Sequence, residues 1–185
     1  MMNHQILDAK KLMEYNFDKI IDRSGSDDLK HGALLPRWGR DDLLPLWVAD
    51  MDFETPAFVT DALKARLEHS LFGYTMEPKD FLPSIIDWVR DHHQWNLERE
   101  WIKFIPGIVK GIGLVVNVFT KPDEKVIIQP PVYHPFRLTP EGNGREVVFN
   151  PLKMREDGYY DMDFDNLAEV CDEKCKVLIL CNPHN

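Results

Sequence analysis

The sequence predicts an α/β protein, a mostly parallel sheet with helices on both faces, and three observations carry that expectation. From residue 101 onward, strand-like and helix-like stretches alternate, which is the pattern of βαβ units. The strand-like runs, such as 125–129 and 176–181, are continuously apolar and lack the in-and-out alternation of a sheet with one wet face. The chain has 185 residues, 44% hydrophobic and 29% charged, enough to bury a core. Its 13 prolines and 10 glycines are an ordinary share for a globular chain, close to about 12%.

Taken in order, residues 1–45 form an N-terminal arm, because Gly25, Gly32, Pro36, Gly39 and Pro45 interrupt every candidate element. Residues 46–49 (Leu-Trp-Val-Ala) predict a small strand that ends at Asp50-Met51-Asp52. Thr55 as N-cap and Pro56 at the first helical position open a helix. Val59, Leu63 and Leu67 share one of its faces, and Gly73 closes it. A second amphipathic helix spans 80–93, where Pro83 is tolerable only because it falls in the first turn. Beyond it the pattern predicts a strand at 101–105, a helix at 108–120, a strand at 125–129 and a helix at 133–141. A strand at 145–149, a helix at 163–171 and a strand at 176–181 complete the series.

Charge and targeting signals narrow the function classes. The net charge is −9, with no lysine- or arginine-rich run, which argues against nucleic acid or an anionic membrane as the main partner. The longest mostly apolar stretch, 112–119, is far short of the roughly 20 residues that cross a bilayer. The first 15 residues carry charge where a signal peptide needs an apolar core, so a soluble, cytoplasmic protein is expected. Cys171, Cys175 and Cys181, an odd number crowded at one end, make a poor disulfide framework. With His184 they could be forced into a zinc site, but core packing is the preferred reading.

In parallel sheets ligands sit beyond the carboxyl ends of the strands, so the turns there are the ones to inspect. Pro106-Gly107-Ile108-Val109 enters a helix where free N–H groups and the helix dipole can hold a phosphate, although the glycine spacing fits neither a Walker loop nor a dinucleotide fingerprint. Pro130-Pro131-Val132-Tyr133 can lay a tyrosine over an aromatic ligand. Asn182-Pro183-His184-Asn185 can donate to a ligand oxygen or cap a following helix. Together, three such turns at corresponding strand ends point to one shared site. A rival is Asp50-x-Asp52, which could serve a magnesium-dependent phosphatase of the haloacid-dehalogenase type, Asp50 as nucleophile and Asp52 as acid/base. His92-His93 reads as a solvated helix end, and Asp161, Asp163 and Asp165 read as a helix N-terminus, since Asn166 stands where a calcium loop needs glycine.

These segments carry a resemblance. Residues 42–53 (DLLPLWVADMDF), Phe72-Gly73-Tyr74, Pro106-Gly107-Ile108-Val109, Pro131-Val132-Tyr133 and the terminal Asn-Pro-His-Asn resemble, in this order, fold-type-I pyridoxal-phosphate enzymes. The similarity is to the cystathionine β-lyase-like (MalY/PatB) branch of the class I/II aminotransferases, and runs from about Tyr15 to Asn185. It implies the aspartate-aminotransferase fold, with 1–45 as arm, 46–100 leading into the small domain and dimer interface, and 101–185 as the first part of the large cofactor domain. It implies pyridoxal 5'-phosphate as cofactor, with the Ile108 and Val109 amides on its phosphate, Tyr133 stacked on its ring and Asn185 bonded to its phenolic oxygen. Tyr74 is implied to reach the phosphate of the neighbouring subunit of a homodimer, and Val48 and Ala49 to lie beside the substrate carboxylate. Where the family often has a hydroxyl in the phosphate loop, Ile108 offers only its amide.

The activity implied is C–S β-lysis of sulfur amino acids, releasing thiol, pyruvate and ammonia, or a related amino-group transfer. No lysine here sits in the serine-rich context of the family's cofactor-binding lysine; that lysine, the ring-nitrogen aspartate and the carboxylate-binding arginine are expected downstream. The 185-residue chain alone is therefore expected to be inactive, with an unpaired sheet edge that lowers its stability. A non-catalytic, dimerising module is the remaining alternative.

Overall fold

The computed structural model describes residues 15–23 and 25–185. The chain falls into two compact units, Met1–Met76 and Glu77–Asn185.

In the first unit, α1 (Leu29–Gly32) and α2 (Leu34–Trp38) are short helices inside the stretch that the glycines and prolines were expected to keep free of elements. Local bonds explain them. The Asp28 carboxylate accepts from the His31 amide at 2.9 Å as N-cap. Gly39, at φ 69°, ends α2 by donating its N–H to Leu35 O at 2.9 Å. Leu34 and the Lys30 side chain are buried between these turns.

The expected strand at 46–49 does not form: the segment is irregular, Leu46 is 88% exposed, and no strand pairs with it among the described residues. An apolar run becomes a strand only where a neighbour completes its ladder. α3 (Ala57–Glu68) starts one residue later than expected, with Pro56 as N-cap, and ends at His69 rather than at Gly73. Val59, Leu63 and Leu67 do line one face, but none is buried.

The second unit begins with α4 (Phe81–His93), whose Pro83 sits in the first turn as expected and whose end is capped by Gln94 in the left-handed region, its N–H bonded to Arg90 O. Instead of a strand at 101–105 there is a single 3-10 turn, Arg99–Trp101, and an irregular run in which Phe104 is 79% exposed. Again, no described strand pairs with it. Then follow α5 (Ile108–Phe119), β1 (Lys125–Ile128), α6 (Pro135–Gly142) and β2 (Glu146–Phe149). A short antiparallel pair, β3 (Lys153–Met154) and β4 (Tyr160–Asp161), precedes α7 (Phe164–Val170) and β5 (Cys175–Leu178).

The main sheet has the order β2-β1-β5 and is parallel throughout. The chain crosses from β1 to β2 through α6 and back across β1 to β5 through α7. Because such crossovers are almost always right-handed, opposite directions place these helices on opposite faces. The central strand is accordingly sealed, with Val126, Ile127 and Ile128 at 0–3% exposure. Val116 of α5, Val126, Ile128 and Phe136 of α6 form the core, with Ile112, Val147, Val177 and Ile179 packed around them. Burying a side chain of this size contributes about 1.5–3 kcal/mol. Cys181 packs against this core as expected, whereas Cys171 is an exposed C-cap of α7. No described helix is long and apolar enough to cross a membrane.

Polar tethers lock the strand ends. At the carboxyl edge Asn150, fully buried, accepts from Gln129 Nε2 at 2.8 Å and donates to Asp163 O at 2.9 Å and Asn166 Oδ1 at 3.0 Å. At the opposite edge Arg145 donates to Thr120 Oγ1 at 2.9 Å and to Thr120 O at 2.8 Å.

Candidate functional site

α5 returns the chain from the carboxyl edge of the sheet to the start of β1, so its N-terminus lies at the carboxyl edge. Gly107, at φ 102° and ψ 142°, makes the turn into it, a conformation that favours a residue without Cβ. The first bond of the helix runs from Gly111 N to Gly107 O at 3.1 Å, which leaves the amides of Ile108, Val109 and Lys110 ahead of the intrahelical ladder. Ile108 and Val109 are 68% and 40% exposed. The helix carries no acid in its first turn to compete with an anion, and Gly113 lets it approach Thr139 of α6 and Asn143, the C-cap of that helix.

The loop after β1 carries Tyr133. Leu152 donates its N–H to Pro130 O at 2.8 Å, and Asn150 N donates to Ile128 O at 2.9 Å, so the second strand fixes where this loop starts. The Tyr133 ring meets Phe136 edge-on at 6.0 Å and His134 at 5.2 Å, and is 37% exposed. The loop after β5 folds onto it: Tyr133 N donates to Asn185 O at 2.6 Å, and His184 Nε2 donates to Pro131 O at 2.6 Å. Asn185 N in turn donates to Cys181 Sγ at 3.2 Å. The bonds before Pro131 and Pro183 are both cis.

Two of the three turns singled out in the sequence therefore touch, and connectivity brings the third, at Ile108 and Val109, to the same edge. The arrangement offers unshared amides at a helix N-terminus, a partly open aromatic face and the terminal asparagine tied to that aromatic residue. Those groups suit a phosphorylated aromatic ligand: an anion on the amides and a flat ring on Tyr133.

In the first unit, Val48 is half-buried, while Ala49 and Tyr74 are exposed. Asp50 and Asp52 are not arranged as a phosphatase pair. Arg23 donates to both, at 2.9 Å to Asp50 Oδ2 and 2.9 Å to Asp52 Oδ1, and Lys30 Nζ lies 2.7 Å from Asp52 Oδ2. The bond from Arg23 lowers the pKa of Asp50, and that from Lys30 lowers that of Asp52, as expected of carboxylates held in ion pairs. With both carboxylates engaged by Arg23 and Lys30, the magnesium-phosphatase alternative finds no support. Asp163 accepts from Asn166 N at 3.0 Å as the N-cap of α7, as expected.

Several contributors have no local signature in the sequence. Lys30, Arg23, Gln129 and Asn150 act through partners from 13 to 29 residues away. The positive φ at Gly107 is the one feature that its residue type could have flagged.

The parallel sheet with a helix N-terminus, an aromatic residue and an asparagine at its carboxyl edge has the fold of fold-type-I pyridoxal-phosphate enzymes. Cystalysin from Treponema denticola, which contains a pyridoxal 5'-phosphate cofactor, superposes with a TM-score of 0.86 at 33% identity over 94% of this chain and 44% of its own. The pyridoxal-phosphate-bound C–S lyase from Staphylococcus hominis does so with a TM-score of 0.84 at 33% identity, again over 94% and 44%. Residues 41–185 match the family Aminotransferase class I and II, and the chain belongs to it. Cystathionine beta-lyase PatB of Bacillus subtilis is 42% identical over 171 residues, 92% of this chain and 44% of that protein. The chain thus spans somewhat less than half the length of the curated relatives it matches.

Proposed function

We propose that the protein is a pyridoxal 5'-phosphate-dependent C–S β-lyase of sulfur amino acids, releasing thiol, pyruvate and ammonia. The observation that carries this reading is the 42% identity to a cystathionine β-lyase across nearly the whole chain, together with a carboxyl edge whose groups fit the cofactor.

The amides of Ile108 and Val109 would hold the phosphate, supported by the dipole of a twelve-residue helix. Tyr133 would cover the ring, and Asn185 would donate to its phenolic oxygen. When bound, the cofactor supplies an electron sink for the pair left when the substrate Cα loses its proton. The residues here bind and orient: Tyr133 and Asn185 keep a fixed spacing through their shared hydrogen bond, and Val48 and Ala49 would receive the substrate carboxylate. Tyr74 would serve the phosphate of a neighbouring subunit in a homodimer. The arm at 1–45, the segment at 46–100 and the partial cofactor domain at 101–185 are the division this reading entails, and the cytoplasm is the compartment it implies.

The test uses the protein expressed in full from its own gene. A yellow protein that releases pyruvate and a thiol from cystathionine is expected. A protein that is colourless after reconstitution, or that only moves the amino group to a keto acid, overturns the lyase reading.

A further inference from the structure

The segment 46–52 has no strand ladder among the described residues, yet side chains from the arm fasten it at both ends. Lys30 is the centre. Its side chain is only 7% exposed, and its Nζ donates to Asp50 O at 3.0 Å and Asp52 Oδ2 at 2.7 Å, with Asp50 Oδ1 at 3.4 Å. Arg23 bridges the same two carboxylates and also pairs with Asp28, the N-cap of α1, at 3.1 Å. From the other side, Trp47 Nε1 donates to Lys30 O at 3.1 Å. The Arg37 guanidinium lies 4.6 Å over the Trp47 ring, and Trp38 meets that ring edge-on at 5.3 Å.

Residues 47, 50 and 52 are thus each tied to the arm, and Val48 and Ala49 lie between the ties at 47 and 50. Exposed ion pairs contribute little because water competes for both partners. Lys30 differs in its reach rather than in dryness at the carboxylates, which are 41% and 58% exposed: its own stem is buried, and its ammonium joins one backbone carbonyl and two carboxylates of the segment, so removing it releases three contacts at once.

We propose that Lys30, supported by Arg23, is a positioning residue that sets the backbone of Val48 and Ala49 in the conformation that receives the substrate's α-carboxylate. The substrate half rests on the lyase reading; the tether itself does not.

Two readouts on the full protein separate them. In Lys30→Met, hydrogen exchange of the Trp47 indole N–H, which is bonded to Lys30 O, is expected to quicken about tenfold, while β1 amides keep their rates. The KM for the amino-acid substrate should rise about tenfold with kcat within about twofold, because positioning of a bound group is lost and the chemistry is not. Lys30→Arg should recover most of both, since it restores the charge. Arg40→Gln, which breaks an exposed pair with Asp42 in the same arm, should change neither. If Lys30→Met does not fold, Asp52→Asn removes the strongest contact of the lysine and should give the same pattern in weaker form.

Unchanged exchange of the Trp47 indole N–H overturns the tether. Faster exchange with an unchanged KM overturns the substrate role. A parent protein without lyase activity sinks the lyase reading and the substrate role with it, while exchange still decides whether Lys30 holds the segment.

Discussion

Gln129 and Asn150 face each other at the ends of neighbouring parallel strands, the amide of one donating to the carbonyl of the other at 2.8 Å with both side chains almost wholly out of water. Asn150 spends its own amide on α7, so one side chain joins the central strand, the edge strand and a helix start. The loop that carries Tyr133 begins directly after Gln129.

Asn150→Leu is therefore expected to cost more than its lost bonds. It strands the Gln129 amide in a dry site, worth about 1–3 kcal/mol when unsatisfied, while the Asp163 carbonyl keeps its bond from Leu167 N at 2.9 Å. Urea midpoints at fixed m should show the loss. The double variant Gln129→Leu/Asn150→Leu should lose less than the sum of the two single variants, because removing both partners leaves fewer groups unpaired. Additive losses would show that the two side chains do not act as a pair.

At the start of α5, Gly107 has open space where a Cβ would stand, but its backbone occupies a region nearly closed to other residues. Gly107→Ala is expected to cost about 1–3 kcal/mol of backbone strain, or to shift the turn that presents the Ile108 and Val109 amides. Thermal unfolding and the affinity for pyridoxal 5'-phosphate should both fall. Gly142→Ala, equally open but with no positive φ, should leave cofactor affinity unchanged. Equal effects at both positions would remove the backbone explanation.

The contrast between these sites shows what was legible in the sequence. The apolar run of β1, the apolar face of α5 and the turn before it could be read because each is a local pattern whose burial follows from its own residues. The runs at 46–49 and 101–105 looked equally strand-like, but a strand is a property of two segments, and neither found a described partner. The β3–β4 pair, two residues per strand, is too short to leave a pattern. The meeting of Tyr133 with Asn185 followed from the rule that parallel strands gather their outgoing loops at one edge, although the bond between them is main-chain and has no residue code. Lys30 was invisible because a lysine is ordinarily solvated, and what buries this one lies 20 and 22 residues away.

At the amino-terminal edge of the sheet, Lys125 Nζ lies 2.7 Å from Asp172 Oδ2, and that bond first of all holds the Asp172 carboxyl down to about 2 from its usual 3.8. A carboxylate with a lowered folded-state pKa stabilises above its unfolded value and loses that contribution as pH falls through the folded one. Asp172→Asn, which still accepts from the Lys174 amide, should be less stable than the parent at pH 6. The gap should narrow between about pH 4 and pH 2 and close below it. Urea midpoints of both proteins across that range test this, and a gap that persists unchanged at pH 2 refutes it.

Tyr133 offers the most direct test of the cofactor platform. Its ring is braced by Phe136 and His134, and its N–H, which any substitution but proline preserves, keeps the bond to Asn185. Tyr133→Phe retains the flat face and the brace, so its affinity for pyridoxal 5'-phosphate should stay within about threefold of the parent, less than 1 kcal/mol. Tyr133→Ala removes the face while leaving the loop bonds in place, and its affinity should fall at least about tenfold, a loss of about 1.4 kcal/mol or more. Titration of the visible absorbance in the reconstituted protein measures both. If Tyr133→Phe loses as much as Tyr133→Ala, the hydroxyl rather than the ring is what the cofactor meets, and the stacking role is wrong.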